Sequence, residues 1–118
     1  MANQIERRRD RSWFRGEAAN LYLDALARRH HLRAAVLADD QGMPIAATGP
    51  KIVEDPLSAY GAFRARHWPS KEVEPSEGPR SVSFHLGEHA VSLTVLGRGE
   101  IPWSEVTTDL ARILELRG

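Results

Sequence analysis

Two periods of apolar and polar residues run along this chain, and the places where one gives way to the other mark its elements. From Gly16 to His31, the residues Ala19, Tyr22, Leu23, Leu26 and His30 recur three and four apart, which lines up one face of an α-helix. Glu17 in the first turn and Arg28 and Arg29 in the last suit the helix dipole. Leu32 to Ala38 is a short continuous apolar run, read as a buried strand. Asp39-Asp40-Gln41-Gly42 is a tight turn, because Asp side chains bond nearby backbone and Gly42 can take a positive φ. Met43 to Thr48 reads as a second strand, and Pro44, which has no ladder donor, puts it at an edge or a strand start.

Asp55-Pro56 predicts a helix start, Asp as cap and Pro at the first helical position. Leu57, Tyr60, Phe63 and His67 follow at helical spacing, Gly61 weakens the interior, and Pro69 ends the helix near Trp68. Residues 69–80 read as an irregular loop kept wet by Lys71, Glu72, Glu74 and Glu77. Strict alternation then runs from Ser81 to Leu96 across a Gly87-Glu88 turn. That turn pairs Leu86 with His89, Phe84 with Val91 and Val82 with Leu93. It sorts Val82, Phe84, Leu86, Val91, Leu93 and Val95 onto one face and Ser81, Ser83, His85, Ala90, Ser92 and Thr94 onto the other. One face should pack on helices; the other is polar enough to meet water or a partner. A last helix starts near Pro102 with Val106, Leu110, Ile113 and Leu114 as its stripe. The expected fold is therefore α+β: an antiparallel sheet with helices packed on one side of it, in the order helix-strand-strand-helix-(loop)-strand-strand-helix.

Composition narrows the function. With 118 residues the chain suits one domain, read as a charged flexible leader over 1–15 and a single domain over 16–118. The absence of cysteine excludes disulfides, thiolate metal sites and a thiol nucleophile. Sixteen basic residues, all but Lys51 and Lys71 arginine, balance sixteen acidic ones. That argues against nucleic-acid binding through a broad cationic field. No apolar run is long enough to span a membrane, and the leader is too charged for a secretory signal, so a cytoplasmic protein is expected. The neutrality is uneven: in the leader, Arg7, Arg8, Arg9, Arg11 and Arg15 outweigh Glu6 and Asp10, while Glu72, Glu74 and Glu77 make the 69–80 loop acidic.

The chemistry-bearing residues do not assemble into a catalytic set. His85-Leu86-Gly87-Glu88-His89 has the letters of an inverted zinc-peptidase motif, but that motif needs both histidines on one helix face. Strand alternation sends them to opposite faces. His30 and His31 would sit about 100° apart on a helix and cannot chelate together. Ser81, Ser83 and Ser92 have no nucleophile elbow, Gly97-x-Gly99 lacks a phosphate-gripping lysine, and Asp39-Asp40 suits a turn. No catalytic residue, cofactor or metal is expected.

The stretch from Leu32 to Gly49, an apolar strand, an Asp-x-x-Gly turn and a strand of small residues, resembles the first hairpin of the roadblock/dynein light-chain family. Val91 to Leu96 and the helix from Pro102 to Leu116 are similar to its last strand and helix. The resemblance covers roughly residues 17–118. It departs in the middle, where the family's central helix is longer and a third strand follows; here only Lys71 to Glu74 could supply one. The resemblance implies a non-catalytic dimerisation or scaffold module, pairing through the central helix and neighbouring strand. Its partners would be a like or unlike roadblock-like subunit and a small Ras-like GTPase, in bacterial polarity or motility regulation. On the central helix, Tyr60, Phe63, His67 and Trp68 are the candidate partner contacts, since aromatics concentrate at interfaces. The alternative is a profilin-like small-molecule sensor whose ligand sits between sheet and helices, with Ser83, His85 and Ser92 as polar groups.

Overall fold

The structure is a computed structural model that describes residues 2–67 and 78–115, with side chains from Gly16 onward except that of His67. Its elements are α1 (Ala2–His30), β1 (Ala34–Asp39), β2 (Pro44–Thr48), a 3-10 turn (Lys51–Val53), α2 (Glu54–His67), β3 (Pro79–Leu86), β4 (His89–Leu96) and α3 (Trp103–Glu115). The four strands form one antiparallel sheet in the order β2-β1-β4-β3. The element order is the expected one.

The β3–β4 hairpin has the register that the alternation predicts: Leu86 opposite His89, Phe84 opposite Val91, Ser83 opposite Ser92 and Val82 opposite Leu93. The turn between β1 and β2 also forms as expected. The Asp39 carboxylate accepts from the Gln41 and Met43 amides, each at 2.9 Å, and Gly42 takes φ 80. β2 is an edge strand, and the register slips where it begins, so that Ala38 faces Pro44 while Leu37 faces Ala46.

Three features differ from the expectation. The first helix starts at Ala2 instead of Gly16. Residues 2–15 hold Arg, Glu, Gln and Ala and no Pro or Gly. They favour helix by propensity but carry no apolar stripe, and an argument from periodicity passes them over. Second, the central helix starts at Glu54, behind the 3-10 turn. Third, the helices do not share one side of the sheet. Ala19, Leu23 and Leu26 of α1 and Val106 and Leu110 of α3 bury the face of Ala35, Leu37, Val91, Leu93 and Val95. Leu57 of α2 packs with Ala34 and Val36 on the opposite face. β1, with Ala34 to Ala38 all buried, lies between two helix layers, which is why it reads as a continuous apolar run.

The two layers meet the sheet differently. On the α1/α3 side, branched aliphatic side chains interdigitate, and the Tyr22 hydroxyl ties α1 to α3 by donating to Asp109 Oδ2 at 2.7 Å. On the α2 side, the buried groups in the hairpin are Ser81, Ser92 and Thr94. Of the face expected to meet water or a partner, Ser81, Ser92 and Thr94 are thus covered by α2, while Ser83 and Ala90 are half-buried and His85 is exposed. At α1's end, His31 takes φ 56, and the Leu32 amide donates back to the Ala27 carbonyl at 2.9 Å, a Schellman closure that turns the chain into β1.

Candidate interaction surface

Gly61 sets how closely α2 can approach the sheet. A Cβ there would collide with Ser92 Oγ and stand 2.5 Å from Thr94 Oγ1. The helix backbone therefore rests directly on the hydroxyl row, and a mid-helix glycine that costs about 1 kcal/mol in propensity is repaid in closeness. The residues facing the sheet are Leu57, Ser58, Gly61 and Ala62, all buried. Ser58 Oγ donates to the Glu54 carbonyl within the helix at 2.8 Å, so it asks nothing of the sheet.

This arrangement turns the larger side chains of α2 away from the sheet. Leu57, Tyr60, Phe63 and His67 share helical spacing, yet of the first three only Leu57 is buried. Phe63 is 52% exposed, and Pro56, Ala59 and Arg66 are exposed or half-exposed with it. Tyr60 is half-buried, its hydroxyl donating to the Pro79 carbonyl at 3.3 Å, which ties α2 to the start of β3. His67 closes the helix, and Trp68 lies outside the described residues, as does the Lys71 to Glu74 stretch expected to hold a third strand.

The β1–β2 turn borders the same surface. Gly42 lies against Ala59 and Ala62, and Arg66 Nη2 donates to the Asp40 carbonyl at 3.1 Å. Met43 beside this turn is 61% exposed, and Ile52, just before α2, is 85% exposed. Neither stood out in the sequence, because isolated apolar residues in loops carry no period. The inward face of Gly, Ser and Ala goes together with an outward Phe63.

The two edges of the sheet are treated differently. Along β2, α1 covers the outer edge: Asn20 Oδ1 accepts from the Ala47 amide at 2.8 Å, and Thr48 Oγ1 donates to Asp24 Oδ1 at 3.2 Å. A capped edge cannot recruit another strand. The Asp24 carboxylate, ion-paired with Arg28 and accepting from Thr48, is held below its ordinary pKa chiefly by the Arg28 hydrogen bond. The other edge, β3, lies beside α2.

The residues weighed for chemistry stay apart. His85 and His89 lie on two strands flanking a turn, on opposite faces of the hairpin, and both are exposed. Ser92 is buried beneath Gly61, so the space that a ligand would need between that part of the sheet and α2 is filled. Among the described residues no group of three or more His, Asp or Glu is placed to hold a metal ion. No described helix is long and apolar enough to cross a membrane.

A four-stranded antiparallel sheet in the order 2-1-4-3, two helices on one face and a close-packed central helix on the other, defines the class: a layered α+β domain. Within that class the chain has a roadblock-like fold. It is similar to a solved MglB with tetrameric arrangement, at 20% identity over 86% of this chain and 88% of that one, with a TM-score of 0.62. It is also similar to the gliding protein MglB from Thermus thermophilus, at 17% identity, 86% and 88% coverage and a TM-score of 0.55. A Roadblock/LC7 domain from Streptomyces avermitilis matches at 15% identity, 81% and 91% coverage and a TM-score of 0.52. No protein-family model and no curated protein matches the sequence.

Proposed function

We propose that this chain is a non-catalytic, roadblock-like assembly module. It pairs with a second roadblock-like subunit, like or unlike, through the outer face of α2 and the adjoining β3 side of the sheet. The pair presents a surface to a small Ras-like GTPase in the cytoplasm, in the manner of a bacterial polarity or motility scaffold. The observation that carries this reading is the inversion of α2, with Gly61, Ser58 and Ala62 against the sheet and Phe63 turned out. An exposed aromatic on a helix whose small side is buried is the composition of an interface and not of a solvated face. Tyr60 acts from within, fixing α2 to β3, while Phe63, with His67 and Trp68 beyond it, supplies the contact. The capped β2 edge leaves β3 as the side on which a sheet could continue into a partner, and the likeness to MglB structures supports the same reading.

Light scattering on the full chain tests it. Wild type is expected to run as an assembled species, and Phe63→Asp to lose one step of assembly while keeping its helical circular dichroism and cooperative melt. An unchanged assembled mass for Phe63→Asp would remove α2 from the interface. An extract of the native host passed over the wild-type chain is expected to yield a small GTPase, and Phe63→Asp to retain less of it. Equal recovery of that GTPase by both would place its binding elsewhere.

A further inference from the structure

A groove of about 850 Å³ opens at the other side and end of the sheet, away from α2. Its floor is apolar, from Ile45, Leu86, Val91 and Leu114, all belonging to or packed against the α1/α3 core. Asp39, Asp40, Glu88 and Glu115 line its rim, with His89 among them and Arg66 of α2 reaching the Asp40 carbonyl from outside the groove. The groove reaches Gly16, the residue at which α1 comes onto the sheet and lies against the Ile45 carbonyl.

The N-terminal half of α1, Ala2 to Arg15, continues the helix for a further 21 Å or so, at about 1.5 Å per residue. Its sequence has the composition opposite to the rim: five arginines against two acids, with Ile5, Trp13 and Phe14 for the apolar floor. Arg7, Arg11 and Arg15 stand four apart, which places them in one row of a helix. A chain of zero net charge that gathers +3 in the sequence of one half-helix, and acid around one groove at that half-helix's foot, carries a pair of complementary charges.

We propose that the groove is a docking site for a second copy of this chain, occupied by the basic N-terminal half of that copy's α1. A two-fold axis makes the contact reciprocal: the two helices run antiparallel, and each basic half lies across the other's acidic rim. The groove opens on the α1/α3 side of the sheet and Phe63 on the α2 side, the Asp39–Asp40 turn bordering both, so two steps of pairing would build a tetramer.

Charge exchange tests it, in two variants of the full chain. Arg7→Glu with Arg11→Glu makes the helix acidic; Asp40→Lys, Glu88→Lys and Glu115→Lys together make the rim basic. Each variant alone is expected to lose one step of assembly by light scattering at low salt, as wild type should at high salt. An equimolar mixture of the two is expected to regain it, since each helix then finds a complementary groove. A variant that merely failed to fold would not be rescued by mixing. Variants that keep the wild-type mass, or a mixture that gains none, overturn the proposal. Phe63→Asp separates the two interfaces: it should remove a different step and leave the salt-sensitive one intact.

Discussion

Ser92 and Leu93 are neighbours on β4 and both are fully buried, yet they belong to two different kinds of packing. Leu93 points into the α1/α3 layer among Leu23, Leu37, Val95 and Leu110, where apolar area leaves water and density is reached by interlocking aliphatic shapes. Ser92 points into the α2 layer, where its Oγ finds no hydrogen-bond partner among the described residues and its neighbour Thr94 donates to Ser81 Oγ at 3.1 Å. One side of the sheet is therefore held by volume and the other by proximity. The first supplies the stability of the domain. The second holds a helix close with few atoms and leaves Phe63 on the outside.

The largest effects should fall on the interlocked side. Leu93→Ala is expected to cost about 2–5 kcal/mol of unfolding free energy, the range for emptying a fully buried leucine site. Ser92→Ala, one residue away, is expected to change stability by less than about 1 kcal/mol and in the favourable direction, because it removes a buried hydroxyl without a partner. Denaturant titrations of both variants decide it. A comparable loss for each would mean that the hydroxyl row contributes as much as the aliphatic core, and the contrast would fail.

An intermediate effect is expected at Gly61. A methyl group there gains about 1 kcal/mol of helix propensity but collides with Ser92 Oγ and Thr94 Oγ1 at a cost of about 1–3 kcal/mol, so Gly61→Ala should lose up to about 2 kcal/mol net. Ser92→Gly in the same chain removes one of the colliding atoms. The pair should then be markedly less destabilised than the sum of the singles, a coupling that a double-mutant cycle reads directly. Strict additivity would show that α2 has room to move off the sheet and that Gly61 does not fix its height.

These two sides were unequally legible in the sequence. The α1/α3 side follows from period alone: the alternation of Val82, Phe84, Leu86, Val91, Leu93 and Val95 gave the hairpin register, and Val106, Leu110 and Leu114 gave α3. The α2 side was misread in a physically consistent way. A serine and threonine row on a strand resembles a solvated face, because hydropathy weighs the side chain and not the distance between backbones. Glycine opposite small hydroxyls is a signature of close approach, and it was present at Gly61. The helical content of residues 2–15 was hidden for the opposite reason: their composition permits a helix but no apolar row draws attention to it. The groove was invisible, since Asp39, Asp40, Glu88 and Glu115 come together only when two hairpin turns and the end of α3 meet.

The smallest expected effect concerns the polar tie between α1 and α3 on the interlocked side. Tyr22 lies against α3 with its hydroxyl donating to Asp109, and burial first, then that hydrogen bond, raises its pKa well above the ordinary value of 10.0. In the unfolded chain the phenol would ionise near its ordinary value, while in the fold it stays protonated. Between the two values the folded state holds the extra proton, so stability falls as pH rises. Below a pH of about 10 the contribution is complete, and it is lost progressively above. Tyr22→Phe removes the titrating proton along with the hydrogen bond. The variant should be slightly less stable than wild type near neutrality and should lose less on going to more alkaline pH, the two melting curves converging there. Ser92→Ala, on the α2 side, should run parallel to wild type through the same range, since a serine hydroxyl does not titrate. If Tyr22→Phe also ran parallel, the alkaline loss would have to come from another group, and the Tyr22–Asp109 tie would not distinguish the two sides of the sheet.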